Sequence, residues 1–333
     1  MVTEKDQART ESRESFRELA ALTSACGIYK ADRALVSVTG RDRVRWLNGM
    51  VTNNVRDLAA DQGVYGFVLN PQGHILGDLY IFSRPESLTL EIDRSQLDSL
   101  VSLFRRYIIM DKVEIESSGG GLAAIAIAGP KSEAVLDSLG VHPKLNPLQL
   151  AESSLTDVAG MLVRGDNPCV PHYEFWIPNE QLERAWDLLR RAGAVEVRED
   201  SLEMFRILCG IPKVGGDIRE RTLPPETGQE RALNFNKGCY IGQEIVERIR
   251  SRGAVHRTLV GLEIEGEAPL AGGKIQSQGK DVGEVTTVAP APIKGRRIAL
   301  GFMRKEFLGA DQALAVAGRT VKPRPLPFTD LFN

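Results

Sequence analysis

The sequence lacks the features that direct a chain into or across a membrane. Residues 1–13 are polar and charged and contain no apolar core of a secretory signal. No apolar run approaches the roughly 20 residues of a membrane-spanning helix. The four cysteines among 333 residues lie far apart and form no CxxC pair, which argues against a disulfide scaffold and a zinc knuckle. We expect a cytoplasmic protein with no membrane partner.

Further absences narrow the class of protein. A net charge of −2 gives no overall attraction to nucleic acid, so any basic site must be local. The chain has no GxGxxG, no internal repeat, no low-complexity segment and no metal-binding or nucleophile–base motif. The composition is that of an ordinary globular protein, 42% hydrophobic and 26% charged, and the length suits two or three domains.

The pattern of predicted secondary structure changes near residue 255. Before it, strand-like and helix-like runs alternate, which predicts mixed α+β modules of ferredoxin-like type. A hairpin is predicted across 70–73, where Pro and Gly occupy turn positions. After residue 255, short β-rich runs alternate with Gly and Pro, which predicts a small β-barrel or sandwich. The predicted domains are 20–245 and 256–333.

Three stretches carry weaker patterns. A helix is predicted over 11–24, after a frayed tail. Residues 141–158 show little periodicity and are predicted to form a loop. Residues 213–235 are predicted to form a long irregular loop, and loops of that length are usually functional or disordered. Because this loop leads directly to the motif described next, we interpret it as functional.

The most specific stretch of the sequence is Asn-Lys-Gly-Cys-Tyr-Ile-Gly-Gln-Glu at 236–244. Its last two residues suit the first turn of a helix that Gly253 can end. Cys239 stands just ahead of this helix and beside Lys237, where positive potential favours thiolate over thiol. We therefore predict a solvent-accessible, functional thiol, and the alternative is a buried cysteine in a turn.

This motif, with Arg-Gly at 252–253 and His-Arg at 256–257, resembles the signature of the YgfZ family. The resemblance extends from about Ala34 to the C-terminal strands and is sharpest over 234–257. YgfZ proteins are folate-binding proteins of iron–sulfur cluster assembly and repair, related in fold to the glycine-cleavage aminomethyltransferases (GcvT). The resemblance implies an α+β, GcvT-like fold, with two intertwined modules around a folate pocket and a C-terminal β-barrel. It also implies tetrahydrofolate or a derivative as cofactor.

Two carboxylates are candidates for the folate pocket. Glu174, in His-Tyr-Glu-Phe, resembles the Gly-Tyr-Glu segment of the aminomethyltransferases, where the Glu contacts the pterin. A carboxylate matches two adjacent pterin donors, and the alternative is a strand carboxylate that faces solvent. Asp78, in Leu-Gly-Asp-Leu, resembles the Asp-Asp-Leu in which an Asp lies beside the reactive folate nitrogens, so we expect a catalytic role. Gly77 replaces the first Asp, which weighs against aminomethyl transfer.

A cationic cluster follows the motif, since four arginines and His256 fall within ten residues. Arginine favours bidentate carboxylate or phosphate partners, so a folate glutamate tail or tRNA phosphate would suit it. The alternative is a solvated helix end in which Arg248 pairs with Glu244. Besides Glu174, the predicted folate-contacting residues are Lys237, Tyr240, Gln243, Arg248 and Arg252.

The function we favour at this stage is tetrahydrofolate-dependent support of iron–sulfur cluster assembly or repair, and thereby of iron–sulfur-dependent tRNA modification. The expected partners are transient iron–sulfur clients or assembly proteins. Cys239 would be catalytic, as a redox-active thiol, a transient cluster ligand or a nucleophile. A stable cluster needs about four ligands, so no permanently bound metal is expected. The alternatives are a folate-dependent aminomethyltransferase of glycine cleavage and a non-catalytic adaptor for a client protein or tRNA.

Overall fold

The structure, a computed structural model, describes residues 4–117, 121–253, 255–267, 269–309 and 313–332, without the side chains of residues 4–13 and 252. Over these residues the α-helices are α1 (Glu4–Ser24), α2 (Arg43–Met50), α3 (Leu97–Arg106), α4 (Ser132–Ser138), α5 (Leu182–Arg191), α6 (Glu199–Cys209) and α7 (Gln243–Arg252). In this described part, no helix combines the length and the apolar character needed to cross a membrane.

Seventeen strands accompany the helices in the same residues. The first eleven are β1 (Gly27–Ala31), β2 (Arg33–Thr39), β3 (Gly63–Leu69), β4 (Ile75–Ser83), β5 (Leu88–Asp93), β6 (Glu114–Ser117), β7 (Leu122–Ala128), β8 (Leu150–Leu155), β9 (Val158–Arg164), β10 (His172–Pro178) and β11 (Val195–Glu196). The last six are β12 (Arg257–Ile264), β13 (Lys274–Ser277), β14 (Lys280–Val288), β15 (Arg297–Arg304), β16 (Ala315–Val316) and β17 (Arg319–Arg324).

The first module is a five-stranded sheet in the order β3-β4-β5-β2-β6. Its apolar face packs on α2 and α3, where Leu47 and Phe104 are fully buried. The predicted hairpin across 70–73 is confirmed, since β3 and β4 pair on either side of it. The Asn70 side chain accepts hydrogen bonds from two backbone N–H groups of this turn, and Gly73 adopts a positive φ of 77°.

The second module is a six-stranded sheet in the order β11-β1-β7-β10-β9-β8. Only Asp32 separates β1 from β2, yet β1 pairs with β7 here while β2 pairs with β5 in the first module. The two modules are therefore intertwined, as predicted. The cleft described below lies where the chain passes from one sheet to the other.

Two local predictions are wrong. Residues 141–158, predicted as a loop, contain β8 and the start of β9. β8 is an edge strand with buried leucines only at its two ends and Glu and Ser between them, so it has no regular apolar alternation. The first helix begins at Glu4 and not at residue 11, because its first two turns are helical without carrying an apolar stripe.

The C-terminal strands form a closed barrel in the order β12-β15-β14-β13-β16-β17, with β12 paired to both β15 and β17. This confirms the predicted barrel. An apolar cluster joins the barrel to α1 and α6, with Leu22 and Leu208 on the helices and Leu300 and Phe328 in the C-terminal region. The barrel is therefore packed firmly against the second module.

Residues 213–235, all of them described, are irregular as predicted, apart from two short 3-10 turns and an isolated bridge. Polar contacts fix the segment in place. Asp217 is buried and accepts hydrogen bonds from the hydroxyls of Thr286 (2.5 Å) and Thr287 (2.6 Å) in the barrel. Near its other end, the Asn53 amide donates to the Arg231 carbonyl at 2.9 Å. The segment thus connects the barrel to the first module.

Candidate functional site

A cleft of about 1290 Å³ opens between the two modules. Strands β1 and β10 of the second module contribute to its lining, and so do β3 and β4 of the first module and residues of the 213–235 segment. Its ionisable lining includes Tyr29, Arg33, Asp78, Asp166, His172, Glu174 and Arg231. Asp78 and Glu174, predicted separately from sequence, therefore line the same cleft.

Asp78 is held in one orientation by neighbours from two elements. Its carboxylate accepts hydrogen bonds from the Tyr65 hydroxyl (2.7 Å) and from Nε2 of Gln96 (2.7 Å). The Gln96 side-chain oxygen in turn accepts the backbone N–H of Asp78 at 3.1 Å. Since both contacts to the carboxylate come from fixed donors, Asp78 presents a pre-organised acceptor to the cleft.

Gly77 faces the opposite side of the sheet from Asp78. A Cβ at this position would lie 2.7 Å from Oε1 of Gln96 and 2.9 Å from Leu100, within the packing of α3. Successive side chains of a strand alternate between its two faces, so an acid at 77 would not stand beside Asp78. The expectation that Gly77 weighs against aminomethyl transfer therefore loses its premise.

Glu174 is only 7% exposed and lines the cleft, so the alternative of a solvent-facing strand carboxylate is wrong. Its Oε2 accepts a hydrogen bond from Nε1 of Trp176 at 3.1 Å. The carboxyl of Glu91, which is 3% exposed, is in hydrogen-bonding contact with Glu174. Burial and the charge of Glu174 raise the pKa of Glu91 to about 8, so this pair holds a proton at neutral pH.

Arg33 supplies the positive charge beside these two carboxyls. Its Nε lies 3.2 Å from Oε1 of Glu91. That oxygen has no well-aligned hydrogen bond within the described residues, so the guanidinium lies close to the Glu91 carboxyl without a directed bond to it. The Arg33 guanidinium also lies 5.9 Å from the Tyr80 ring centroid. Neither Arg33 nor Glu91 carries a sequence pattern that could have identified it.

Tyr29 and His172 form a neutral polar pair in the same cleft. The Tyr29 hydroxyl lies 3.2 Å from Nε2 of His172, and the two rings are stacked. Burial lowers the pKa of His172 and raises that of Tyr29. At neutral pH both side chains are therefore uncharged hydrogen-bonding groups.

Arg231 brings a cation to the cleft from the 213–235 segment. Its guanidinium is ion-paired with Asp166 and lies 4.5 Å from the Tyr65 ring centroid. The Tyr80 hydroxyl donates to the other oxygen of Asp166 at 3.1 Å. Arg231 was not among the residues predicted from the sequence. It lies, however, in the 213–235 segment, which was predicted to be functional.

Lys237 lies elsewhere and is 6% exposed. Its ammonium donates to the backbone carbonyls of Asn48 (2.5 Å), Val51 (2.6 Å) and Asn53 (2.7 Å), where α2 ends. Burial lowers the pKa of Lys237 to about 7, while the three carbonyls favour the ammonium, which has three donors. The structure thus gives Lys237 a role in holding the chain after α2.

The other residues predicted to contact folate form local structure around the start of α7. The Tyr240 ring is buried against Tyr65 and its neighbours, and Gln243 accepts the Tyr240 backbone N–H at 3.3 Å. Arg248 pairs with Glu244 at 2.5 Å, which is the alternative weighed for it. Arg252 ends the helix, but its side chain lies outside the described residues. The structure does not bring the described members of this set to Asp78 and Glu174.

Gly242, the second of the two glycines in this motif, allows a close approach of two turns. Gly242 has a φ of 82°, and a Cβ there would lie 2.6 Å from the Asn70 carbonyl oxygen. A Cβ on Gly73 would in turn lie 2.9 Å from Ile245 of α7. The start of α7 is therefore packed closely against the β3–β4 hairpin. This close contact and the positive φ explain why the motif needs glycine at position 242.

Cys239 is exposed, as predicted. Cys26 and Cys209 are buried, and Cys169 is partly buried. The Lys237 ammonium is bound to the three carbonyls and does not stand free beside Cys239, so one premise of the thiol prediction is wrong. The exposed thiol thus lies in a turn between two buried side chains, Lys237 and Tyr240.

The cationic cluster is largely neutralised. Arg257 makes a bidentate contact with Glu226, at 2.8 and 2.9 Å, and Arg250 lies 3.7 Å from Glu247. Each of these described guanidinium groups therefore already has a carboxylate partner. A phosphate or folate tail would have to compete with those partners.

Comparison with known proteins identifies the family. The GCVT N-terminal domain model matches residues 7–237, and the glycine cleavage T-protein C-terminal barrel domain model matches 257–330. A curated aminomethyltransferase from Thermoanaerobacter is 24% identical over 320 residues, covering 91% of this chain and 85% of that protein. One from Bacillus licheniformis is 26% identical over 291 residues, covering 84% and 79%.

The fold is shared with a solved structure. The crystal structure of glycine cleavage system aminomethyltransferase T from Bartonella henselae superposes with a TM-score of 0.83 at 19% identity, covering 95% of this chain and 90% of that one. The intertwined mixed modules and the closed six-stranded barrel are therefore a GcvT-like fold. Because the first model matches more than half of the sequence, the chain belongs to the family of the GCVT N-terminal domain, followed by its T-protein C-terminal barrel.

Proposed function

We propose that the chain binds a reduced folate in the cleft between its modules and transfers a one-carbon unit as an aminomethyltransferase. The observation that carries the proposal is that Asp78 and Glu174, carboxylates from different modules, line one cleft. Family membership supports it, as does the name of the curated relatives, aminomethyltransferase.

The residues of the cleft fit a folate. Glu174 uses one oxygen for the Trp176 indole, and a buried carboxylate of this kind can accept the paired N–H donors of a pterin. The cleft is larger than most small-molecule sites, which measure about 300–1,000 Å³, so it has room for a folate. When bound, the folate supplies the nitrogens that carry or accept the one-carbon unit.

The chain's own residues then have distinct tasks. Asp78, oriented by Tyr65 and Gln96, is placed to hold or return a proton at a substrate nitrogen. Arg231 offers a guanidinium that suits a carboxylate of the folate's glutamate end, in exchange for Asp166. The neutral Tyr29–His172 pair adds hydrogen-bonding groups without charge.

The direct test is an assay of the purified chain with tetrahydrofolate and an aminomethyl-lipoyl carrier protein. We expect turnover, and we expect Asp78→Asn to lower kcat by roughly 10²- to 10⁴-fold, as the loss of a general acid–base group does. The Cys239→Ser variant is the matched control and should keep full turnover. Folate binding by the wild-type chain without any turnover would reject the transferase proposal.

A second function is favoured by the exposed position of Cys239. We propose, as the alternative, that the folate-loaded chain supports iron–sulfur cluster assembly or repair through this thiol, as its resemblance to YgfZ proteins implies. Transient partners would be iron–sulfur enzymes, including those that modify tRNA.

Complementation separates the two proposals. In a strain whose iron–sulfur enzymes fail without such a protein, the second function requires that Cys239→Ser lose complementation while keeping folate affinity. A serine variant that fully restores those enzymes would reject the thiol role. Asp78→Asn is the reciprocal variant, which should lose turnover in the transferase assay whatever its effect in the strain.

A further inference from the structure

Cys169 and Cys209 come together beside the cleft, although they are far apart in the sequence. Cys169 lies in the segment between β9 and β10, and Cys209 is the last residue of α6. The two thiols lie close enough for each to shift the pKa of the other, and Cys169 packs against the apolar cluster that contains Cys209 and joins α6 to the barrel.

Asn167 contacts both cysteines and fixes their relative position. Its side-chain oxygen accepts the backbone N–H of Cys169 at 2.9 Å and that of Val170 at 3.2 Å. Its side-chain amide also lies 3.8 Å from the Cys209 sulfur. One side chain therefore contacts both cysteines, and the thiol pair is fixed by packing and by hydrogen bonds.

The two thiols have different environments. Cys169 is partly exposed, and the hydrogen bond from Cys209 lowers its pKa. Cys209 is buried, and burial raises its pKa. An accessible sulfur that ionises more readily, next to a shielded second sulfur, is the arrangement in which an oxidised cysteine is captured by a resolving one.

We propose that Cys169 and Cys209 are a redox site that forms a reversible disulfide. The Cys169 thiolate attacks one oxygen of hydrogen peroxide, the O–O bond breaks, and the other oxygen leaves as hydroxide, giving a sulfenic acid. The Cys209 sulfur then attacks the Cys169 sulfur and displaces that oxygen as water. Overall, two thiols lose two protons and two electrons, and peroxide becomes two waters. A dithiol reductant restores both thiols by exchange.

The disulfide would link two walls of the cleft. Asp166 and Asn167 line it from the segment that carries Cys169, and Phe205 and Arg206 line it from α6. The site lies outside the groups assigned to one-carbon transfer, so this inference does not depend on the proposed function.

The test maps disulfides in a Cys239→Ser variant, which removes the exposed thiol. The folded protein is treated with hydrogen peroxide, alkylated and digested without reduction. We expect a linked Cys169–Cys209 peptide, a fall from three titratable thiols to one, and full recovery with dithiothreitol. Three intact thiols after treatment, or a link that forms only in denaturant, would overturn the proposal.

Two further variants in the same background keep the test decisive. With Cys209→Ser, the linked peptide should disappear and dimedone should label Cys169 as a trapped sulfenic acid. Cys26→Ser is the matched control, because Cys26 is also buried and burial raises its pKa to about 12. That control should form the Cys169–Cys209 link at the same rate, and a link that requires Cys26 would refute the assignment. A circular dichroism spectrum that matches that of the wild type shows that each variant is folded.

Discussion

The cleft and the 236–244 segment use polar side chains in opposite ways. In the cleft, Asp78, Glu174 and Arg231 come from three separate parts of the chain and present their functional groups to an open space. In the segment, Lys237 and Gln243 bond to backbone atoms, while the Cys239 thiol is exposed. The cleft leaves its polar groups facing the space that we propose a folate occupies, whereas the segment uses its polar groups to fix a turn. We therefore expect substitutions in the cleft to change folate affinity and substitutions in the segment to change the free energy of unfolding.

The largest effect on stability is expected for Lys237→Met. Removal of the ammonium leaves three buried carbonyls without their donor, and each unsatisfied group costs about 1–3 kcal/mol. We expect the free energy of unfolding in urea to fall by about 3 kcal/mol, with folate affinity retained in the folded fraction. Lys144→Met, at an exposed position, is the control and should be neutral. A stable Lys237→Met variant would show that water replaces the ammonium.

Glu174→Gln should lower folate affinity and leave stability nearly unchanged, the opposite of Lys237→Met. Loss of a charged acceptor for the pterin should weaken reduced-folate binding by on the order of 1.5–3 kcal/mol, roughly 10- to 100-fold, with little change in unfolding. Isothermal calorimetry measures the affinity, and Glu180→Gln, at an exposed site, serves as the matched variant. Equal affinities for wild type and Glu174→Gln would remove Glu174 from the ligand site.

The carboxyl pair predicts a pH dependence of stability. Native Glu91 keeps its proton up to about pH 8, whereas an unfolded Glu loses it near 4.5. Between these values the native state binds more protons, so this group's contribution to stability falls as pH rises. Glu174, Asp78 and Arg33 face Glu91 and modulate the slope.

Glu91→Gln should make the free energy of unfolding fall less steeply between pH 5 and 8 than it does in the wild type, as measured by urea unfolding at several pH values. Glu86→Gln, at an exposed position, should leave the slope unchanged. An identical pH profile for Glu91→Gln and wild type would mean that Glu91 is ionised in the native protein.

The smallest effect is expected for Arg248→Ala. Its partner Glu244 is one helical turn away at an exposed site, and such pairs contribute about 0.3–0.5 kcal/mol. Unfolding and folate calorimetry should both be nearly unchanged. A tenfold loss of folate affinity would restore the predicted contact with the folate tail and would extend the ligand site to α7.

The sequence was most informative where a pattern is local. The hairpin at 70–73 and the C-terminal barrel were predictable from turn residues and short β-rich runs. Asp78 and Glu174 were identified through short motifs shared with a family. The contact of Arg231 with Asp166 was not predictable, because it joins a loop to a segment 65 residues away. β8 was missed because an edge strand with a polar centre has no apolar alternation.

The passage of the chain from β1 to β2 has a consequence for dissecting this protein. Asp32 alone separates a strand in the interior of one sheet from a strand in the interior of the other. No single cut can therefore separate the two modules with both of their sheets complete. A fragment that begins at β2 would leave β7 without one neighbour and β11 without its partner. Because β1 must pair with β7 and β11, which follow the whole first module in the sequence, we expect the second sheet to form more slowly than the first.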